Sequence, residues 1–149
     1  MIVVTESIER LRRLCKIIPP LLEKISNSEF LVKPSPGKWS KKEILGHLVD
    51  SAANNHHRFI RIQHEHGTLI SYDQNQWNSL SHYIDLDRSH LIAFWTLYNK
   101  HLIHILKFIP EENLRLTGVG GDGKPQPLHF YITDYVDHLE HHLHQIVSY

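Results

Sequence analysis

The fold is decided by residues 37–51, which read GKWSKKEILGHLVDS. Ser40 and Glu43 are spaced as a capping box, in which each side chain bonds the backbone N–H of the other residue. The apolar residues that follow recur at helical spacing: Ile44, Leu48, Ala52, Phe59 and Ile62. The pattern predicts an amphipathic helix that begins at Ser40 and continues to about His66.

Three further helices are predicted from the same periodicity. The first covers about 5–24, and Pro19-Pro20 should kink or break it because proline removes a backbone donor. The third covers about 87–108, and the fourth runs from about Pro127 to the C-terminus. We therefore predict an all-α four-helix bundle as a single domain over 1–149. At least half of the residues should be helical, without a substantial sheet.

The charge of the chain is balanced, with 16 Lys plus Arg and 16 Asp plus Glu among 149 residues. This balance argues against a nucleic-acid or membrane partner, since such partners usually select for positive charge. No apolar run approaches the roughly 20 residues that span a bilayer. The single cysteine, Cys15, excludes an intrachain disulfide, and the N-terminus becomes charged too early for a secretory signal. The expected location is the cytoplasm.

The polar connection over 67–85 is long enough to suggest a functional loop. It contains Trp77 and Tyr83, one of which we expect near the histidines as a pocket wall. Trp95, in the middle of a predicted helix, is expected in the core. Asp73 is a candidate general base, whereas Glu43 is already explained as a cap.

Residues 118–125 imitate a phosphate-binding loop, because they contain the spacing G-x-x-x-x-G-K. The next position should be Ser or Thr to hold magnesium, and here it is Pro125. We therefore interpret this segment as a flexible turn before the last helix, and not as a nucleotide site.

The chain has 14 histidines, and the fourth helix carries one inward-facing pair. With about 100° per residue, His142 and His138 lie on the same side of the apolar face centred on Leu139. They are spaced i, i+4, so their rings can share one ligand. His141 and His144 point away from this position.

The second helix offers one matching histidine. His47 lies on the flank of the apolar face, together with Ser51 and Arg58. His57 points away from that face, and His56 lies on its opposite flank. His47, His138 and His142 are the candidate metal ligands, and neutral imidazole suits zinc, nickel, copper or iron. The alternative is that they are ordinary polar residues at a helix boundary.

Two motifs resemble the DinB/YfiT-like superfamily. Residues 39–48 match its W-S-x-x-E-x-x-x-H-L opening of the second helix, and residues 138–146 match its closing H-x-x-H-H-x-x-Q-I. Residues 72–77 look like its central loop. The resemblance implies an up-down-down-up four-helix bundle, often dimeric, with a metal held by one histidine of the second helix and two of the fourth. Carried over, these are His47, His138 and His142.

The resemblance also implies the chemistry. Members are described as metal-dependent hydrolases, and relatives include transferases and isomerases that use low-molecular-weight thiols. We expect zinc or nickel to activate water, or a bound thiol, for attack on a small molecule. A non-catalytic, stress-related metal-binding bundle is the alternative. DNA binding, suggested only by the family name, is opposed by the neutral charge.

Two further side chains remain open to two interpretations. Arg58 could steer an anionic substrate, or it could be solvated or ion-paired. Asp134 could orient the ring of His138 from four residues earlier, or the two could form an ordinary exposed pair.

Overall fold

The computed structural model describes the backbone of residues 2–149 and the side chains of residues 4–149. Counting short 3₁₀ turns, 67% of the chain is helical, which confirms the prediction of an all-α protein. The elements in chain order are α1 (Ile2–Glu23), α2 (Asn27–Leu31), α3 (Lys41–Arg61), α4 (Gln74–Ser81), a 3₁₀ turn (Tyr83–Asp85), α5 (Arg88–Lys107), a 3₁₀ turn (Glu111–Arg115), β1 (Thr117–Val119), β2 (Pro125–Pro127) and α6 (Leu128–Leu143).

The four long helices form a bundle in which chain order and spatial order differ. Helices α1 and α3 each pack against α5 and α6, so α1 and α3 lie diagonally across the core. The core is filled by large side chains that are less than 2% exposed, including Trp95, Tyr135, Phe30, Phe59, Leu11 and Leu45. Trp95 is thus a core residue, as predicted. In the described part of the chain, no helix is long and apolar enough to cross a membrane.

The capping box of α3 is formed as predicted. Glu43 N–H donates to Ser40 Oγ at 3.2 Å, and Ser40 N–H donates to Glu43 Oε2 at 2.7 Å. The helix ends at Arg61, earlier than expected. Gln63 Nε2 donates to the carbonyl of Phe59 at 2.6 Å and so takes the acceptor that a further helical N–H would use.

The first helix is not broken at its two prolines, so that part of the prediction is wrong, whereas a kink there stays a prediction. Helix α1 continues through Pro19 and Pro20 to Glu23. Ile18 and Leu22, on either side of the prolines, are fully buried. Their burial offsets the loss of two backbone donors, which typically costs about 3 kcal/mol or more per proline.

The connection over 67–85 contains a helix that was not predicted. Asp73 caps α4, its Oδ1 accepting the N–H groups of Asn75 and Gln76 at 3.0 Å each. Its carboxylate is therefore engaged in helix capping, like that of Glu43. A second short helix, α2, was also missed, although Ser26 caps it by accepting the N–H of Glu29 at 3.2 Å.

The segment before α6 is a small antiparallel hairpin and not simply a turn. Gly118 pairs with Gln126 in the register of β1 and β2. Helix α6 begins directly after Pro127, as predicted, but it ends at Leu143 and not at the C-terminus. A phosphate-binding loop leads from a strand into a helix, whereas Lys124 lies between two strands.

Gly46, one residue before His47, allows the long connection to close on α3. A Cβ at this position would lie 2.2 Å from Cδ2 of Tyr83. Tyr83 Oη donates to the buried Asp50 at 2.5 Å, and Lys42 Nζ donates to the carbonyl of Ile84 at 2.8 Å. The connection is therefore fixed to the helix that carries His47.

We predict that Gly46→Ala lowers the free energy of unfolding by about 1–3 kcal/mol, because the added methyl group overlaps the Tyr83 ring. Elsewhere in a helix this exchange stabilises by about 1 kcal/mol. Urea unfolding measures the change, and the same substitution in a Tyr83→Ala background is the control, where it should stabilise. A single variant as stable as the wild type would contradict the packing argument.

Candidate metal centre

Helices α3 and α6 bring the three predicted histidines together. One ligand atom each from His47, His138 and His142 lies within 4.8 Å of the other two. His47 is fully buried, whereas His138 and His142 are partly exposed. The group is thus enclosed on the side of α3 and accessible on the side of α6.

The distance between the ligand atoms of His47 and His138 matches that between two ligands of one ion. Nε2 of His47 and Nε2 of His138 are 3.2 Å apart. Two nitrogens that each lie about 2.0–2.1 Å from a tetrahedral zinc are roughly 3.4 Å apart. The ring of His142 lies 4.8 Å from that of His47 and 4.6 Å from that of His138, centroid to centroid. The three imidazoles are therefore grouped closely enough to be candidate ligands of one divalent ion, and three ligands would leave its remaining positions open.

All three imidazoles are held in the neutral form that binds metals. Burial, followed by the neighbouring histidines, lowers the pKa of His47 from 6.5 to about 3 and that of His138 to about 4. The pKa of His142 is lowered chiefly by burial as well, although its bond to Gln145 opposes the shift. At neutral pH, protons therefore compete little with a metal for these nitrogens.

Two neighbours orient the rings. His142 Nδ1 donates to Oε1 of Gln145 at 2.9 Å, which leaves Nε2 free to act as a ligand. Nδ1 of His47 is buried without a hydrogen-bond partner, and its ring packs at 4.9 Å against the ring of Trp39. From the sequence, Trp39 is one of three tryptophans that could line a pocket, and no role is predicted for Gln145, although both stand in the quoted family motifs.

The histidines that were predicted to point elsewhere have other contacts. His144 stacks on Tyr149 at 4.2 Å, and His56 Nδ1 lies 3.1 Å from Tyr98 Oη. His141 is exposed and lies beside His142, with the two ring centroids 5.0 Å apart.

Two cavities flank the triad, and Gln74 lines both. The larger, of about 500 Å³, includes Trp39 and Gln145 in its wall. The smaller, of about 220 Å³, includes His138 itself. Its complete lining is Ser51, Asn55, Arg58, Tyr72, Gln74, Asp134, Tyr135 and His138.

The connection over 67–85 lines these cavities, but with residues other than the expected Trp77 and Tyr83. Tyr72 and Gln74 line the smaller cavity. Trp77 packs against Tyr72 at 5.5 Å between centroids and is 41% exposed. Tyr83 packs on Gly46 and is buried. Trp77 lies on α4 and Tyr83 in the 3₁₀ turn after it, and neither residue lines either cavity.

Arg58 and Asp134 both line the smaller cavity. Asp134 is exposed, and the hydrogen bond of His138 is made with His47. Arg58 donates to Asn55 Oδ1 at 3.2 Å and to the carbonyl of Ile70 at 2.9 Å. Neither the ion-paired interpretation of Arg58 nor the orienting role of Asp134 is therefore supported by these contacts.

The family of the chain follows from comparison with known proteins. The family model described as the DinB superfamily matches residues 10–146. The protein therefore belongs to the DinB superfamily, in agreement with the resemblance of its two histidine motifs. A search of proteins of curated function gave no match.

Solved structures share the fold. YfiT from Bacillus subtilis, described as a probable metal-dependent hydrolase with an unusual four-helix bundle topology, is 21% identical with a TM-score of 0.87. The match covers 96% of this chain and 83% of YfiT. The mycothiol-dependent maleylpyruvate isomerase is 12% identical with a TM-score of 0.79, over 97% of this chain and 61% of that enzyme. At these identities the comparison establishes the fold.

We predict that the triad makes the metal-free protein less stable in acid. Between about pH 4 and the ordinary histidine value of 6.5, His47 and His138 bind more protons in the unfolded chain than in the folded one, because burial lowers their pKa. Their contribution to stability should therefore rise with pH through this window, against the opposite contribution of Asp50, whose pKa burial raises to about 6. Urea unfolding at about pH 5 and about pH 7.5 measures the slope.

The matched variants are His138→Asn and His90→Gln, the latter at the exposed start of α5. The slope should become shallower in His138→Asn and stay at the wild-type value in His90→Gln. Equal slopes in all three proteins would exclude the triad as the source.

Proposed function

We propose that the protein is a metal-dependent hydrolase of small molecules, with His47, His138 and His142 as the three ligands of a zinc or nickel ion. The observation that carries this proposal is the convergence of three neutral imidazole nitrogens within 4.8 Å beside two cavities. Three protein ligands leave positions for water or substrate, which is the arrangement of catalytic and not of structural sites. The whole chain, 1–149, then forms one such domain.

Each residue of the site has its own role in the proposed reaction. His47, His138 and His142 would hold the ion, which when bound would supply a coordinated water with its pKa lowered toward about 7. Gln145 fixes the tautomer of His142, and Trp39 covers one side of His47. Asp134 is the carboxylate that lines the smaller cavity, where partial desolvation of the carboxyl raises its pKa although the residue as a whole is exposed. A carboxylate with a raised pKa is suited to accept a proton from an attacking water and to return it to a leaving group.

A second candidate is a metal-dependent transferase that uses a low-molecular-weight thiol. The likeness to the mycothiol-dependent maleylpyruvate isomerase favours this alternative. The cavity of about 500 Å³ beside Trp39 would then hold the thiol, whose thiolate is the nucleophile.

The proposal also includes the assembly and location of the protein: a homodimer in the cytoplasm, without nucleic-acid or membrane partners. The buried, unpaired Cys15 fits a reducing compartment.

The proposal predicts one tightly bound ion per chain. Alanine at His47, His138 or His142 should raise the dissociation constant of zinc by more than about a hundredfold, since even the hydrogen-bond partners of metal ligands change affinity by about 10–100-fold. His141→Ala is the matched control, because His141 adjoins His142 but faces solvent. Equilibrium dialysis followed by elemental analysis measures the ratio. Equal losses in His138→Ala and His141→Ala would overturn the ligand assignment.

A substrate panel separates the candidate reactions. Metal-loaded protein should hydrolyse simple esters or amides, and His138→Ala should abolish the turnover. Turnover that requires an added thiol would select the transferase. Metal binding without turnover, with or without an added thiol, would favour the alternative of a non-catalytic metal-binding bundle.

A further inference from the structure

Arg58 is a cation in an unusual environment beside the triad. It follows His47 by about three helical turns on the same side of α3. Its guanidinium donates to Asn55 Oδ1 and to the carbonyl of Ile70, and its Cζ lies 5.1 Å from the centroid of the Tyr131 ring. Its Nε is buried and has no hydrogen-bond partner. Every one of these contacts is with a neutral group.

Two other arginines of the bundle form ion pairs that Arg58 lacks. Arg61, one turn further along α3, pairs with Glu65 at 2.9 Å, and Arg10 pairs with Glu140 at 2.6 Å. No carboxylate of residues 4–149 lies within ion-pair distance of Arg58. Asp134 lies in the same cavity, where burial raises its pKa and the charge of Arg58 opposes that shift without contacting the carboxylate. A guanidinium has five donors, of which Arg58 uses two, so donors remain for a ligand.

The space beside Arg58 is small and polar. The cavity of about 220 Å³ also contains the side chains of Ser51, Asn55, Tyr72 and Gln74, and it shares His138 with the triad. Its volume is below the roughly 300–1,000 Å³ of sites for drug-sized ligands. It therefore fits one polar group of a small molecule whose remainder extends past the triad.

We propose that Arg58 binds the carboxylate of a small substrate in this cavity and so directs the neighbouring bond of that substrate to the triad. A planar carboxylate accepts two parallel N–H bonds from a guanidinium, and such bonds are the strong charge-assisted kind. A phosphate would carry more negative charge next to Asp134, which disfavours it. The inference rests on the proposed function for the reaction, but the binding of the carboxylate does not depend on a metal.

The test uses the metal-free full-length protein and three probes: acetate, benzoate and inorganic phosphate. Nuclear magnetic resonance follows the Nε–H resonance of Arg58, which is assigned by its loss in Arg58→Lys. Acetate and benzoate should shift this resonance and saturate. Arg58→Gln should weaken their binding, followed on backbone amides of the cavity, by at least about tenfold, because charge-assisted hydrogen bonds are lost. Arg58→Lys should weaken it less, because the charge remains and the fork geometry is lost.

Arg61→Gln is the matched control, since it removes a cation from the same helix at a residue outside the cavity. Its carboxylate affinity should equal that of the wild type. Tighter binding of phosphate than of acetate, or unchanged affinity in Arg58→Gln, would overturn the proposal. If Arg58→Gln fails to fold, the wild-type titration decides, because an unshifted Arg58 Nε–H at saturating acetate also overturns it.

The outcome is separable from that of the metal proposal. If Arg58 binds carboxylates but the protein binds no metal, the proposed metal-dependent hydrolase is wrong and the proposed carboxylate site is still supported. Where turnover is found, Arg58→Gln should raise KM for esters that carry a carboxylate and leave KM for neutral esters unchanged. A loss of kcat for both ester classes with unchanged KM would show a structural role and contradict the proposal.

Discussion

The contact between α3 and α6 must accommodate three imidazoles in one partly dry space, and the rest of the site depends on that constraint. Protonation of one ring there costs desolvation and repels the others, so all three remain neutral at physiological pH. Neutral rings leave lone pairs that must find donors or a cation. The 3.2 Å approach of two Nε2 atoms satisfies one of them. A divalent ion would satisfy all three.

The bundle positions this contact by burying apolar side chains elsewhere. Helix α3 packs against both α5 and α6, so its flank with His47 and Arg58 is aimed at the last helix. The long connection closes over the same flank because Gly46 lets Tyr83 approach the helix. The site thus has a rigid wall from two helices and a second wall from the connection, through Tyr72 and Gln74.

The helix boundaries could be predicted where the sequence carries a local stop or start. Ser40 caps α3 and Pro127 precedes α6, both as expected, and α5 begins beside Asp87, close to the predicted start of that helix. Helix α2 carries a recognisable Ser26 cap that was overlooked. The continuation of α1 through Pro19 and Pro20 could not be predicted from local rules, because burial against other helices overrides the cost of the prolines.

Part of the candidate site could likewise be predicted from the sequence, and part could not. The triad could be predicted because helical periodicity fixes which residues share a face, and the i, i+4 spacing brings His138 and His142 together. The contacts of Gln145 and Trp39 with the histidine rings could not be predicted in this way. The first depends on the turn after α6, and the second depends on how the segment before α3 approaches that helix. The lack of a carboxylate within ion-pair distance of Arg58, among residues 4–149, is likewise a property of the folded chain alone.

X-ray absorption spectroscopy of the zinc-loaded or nickel-loaded protein tests the central claim most directly. The account predicts three imidazole nitrogens, about 2.0–2.1 Å from zinc, completed by oxygen. The same measurement on His142→Ala should show one imidazole fewer if metal is retained at all. A spectrum with sulfur, or with fewer than three imidazoles in the wild type, would contradict the claim that His47, His138 and His142 form one metal centre.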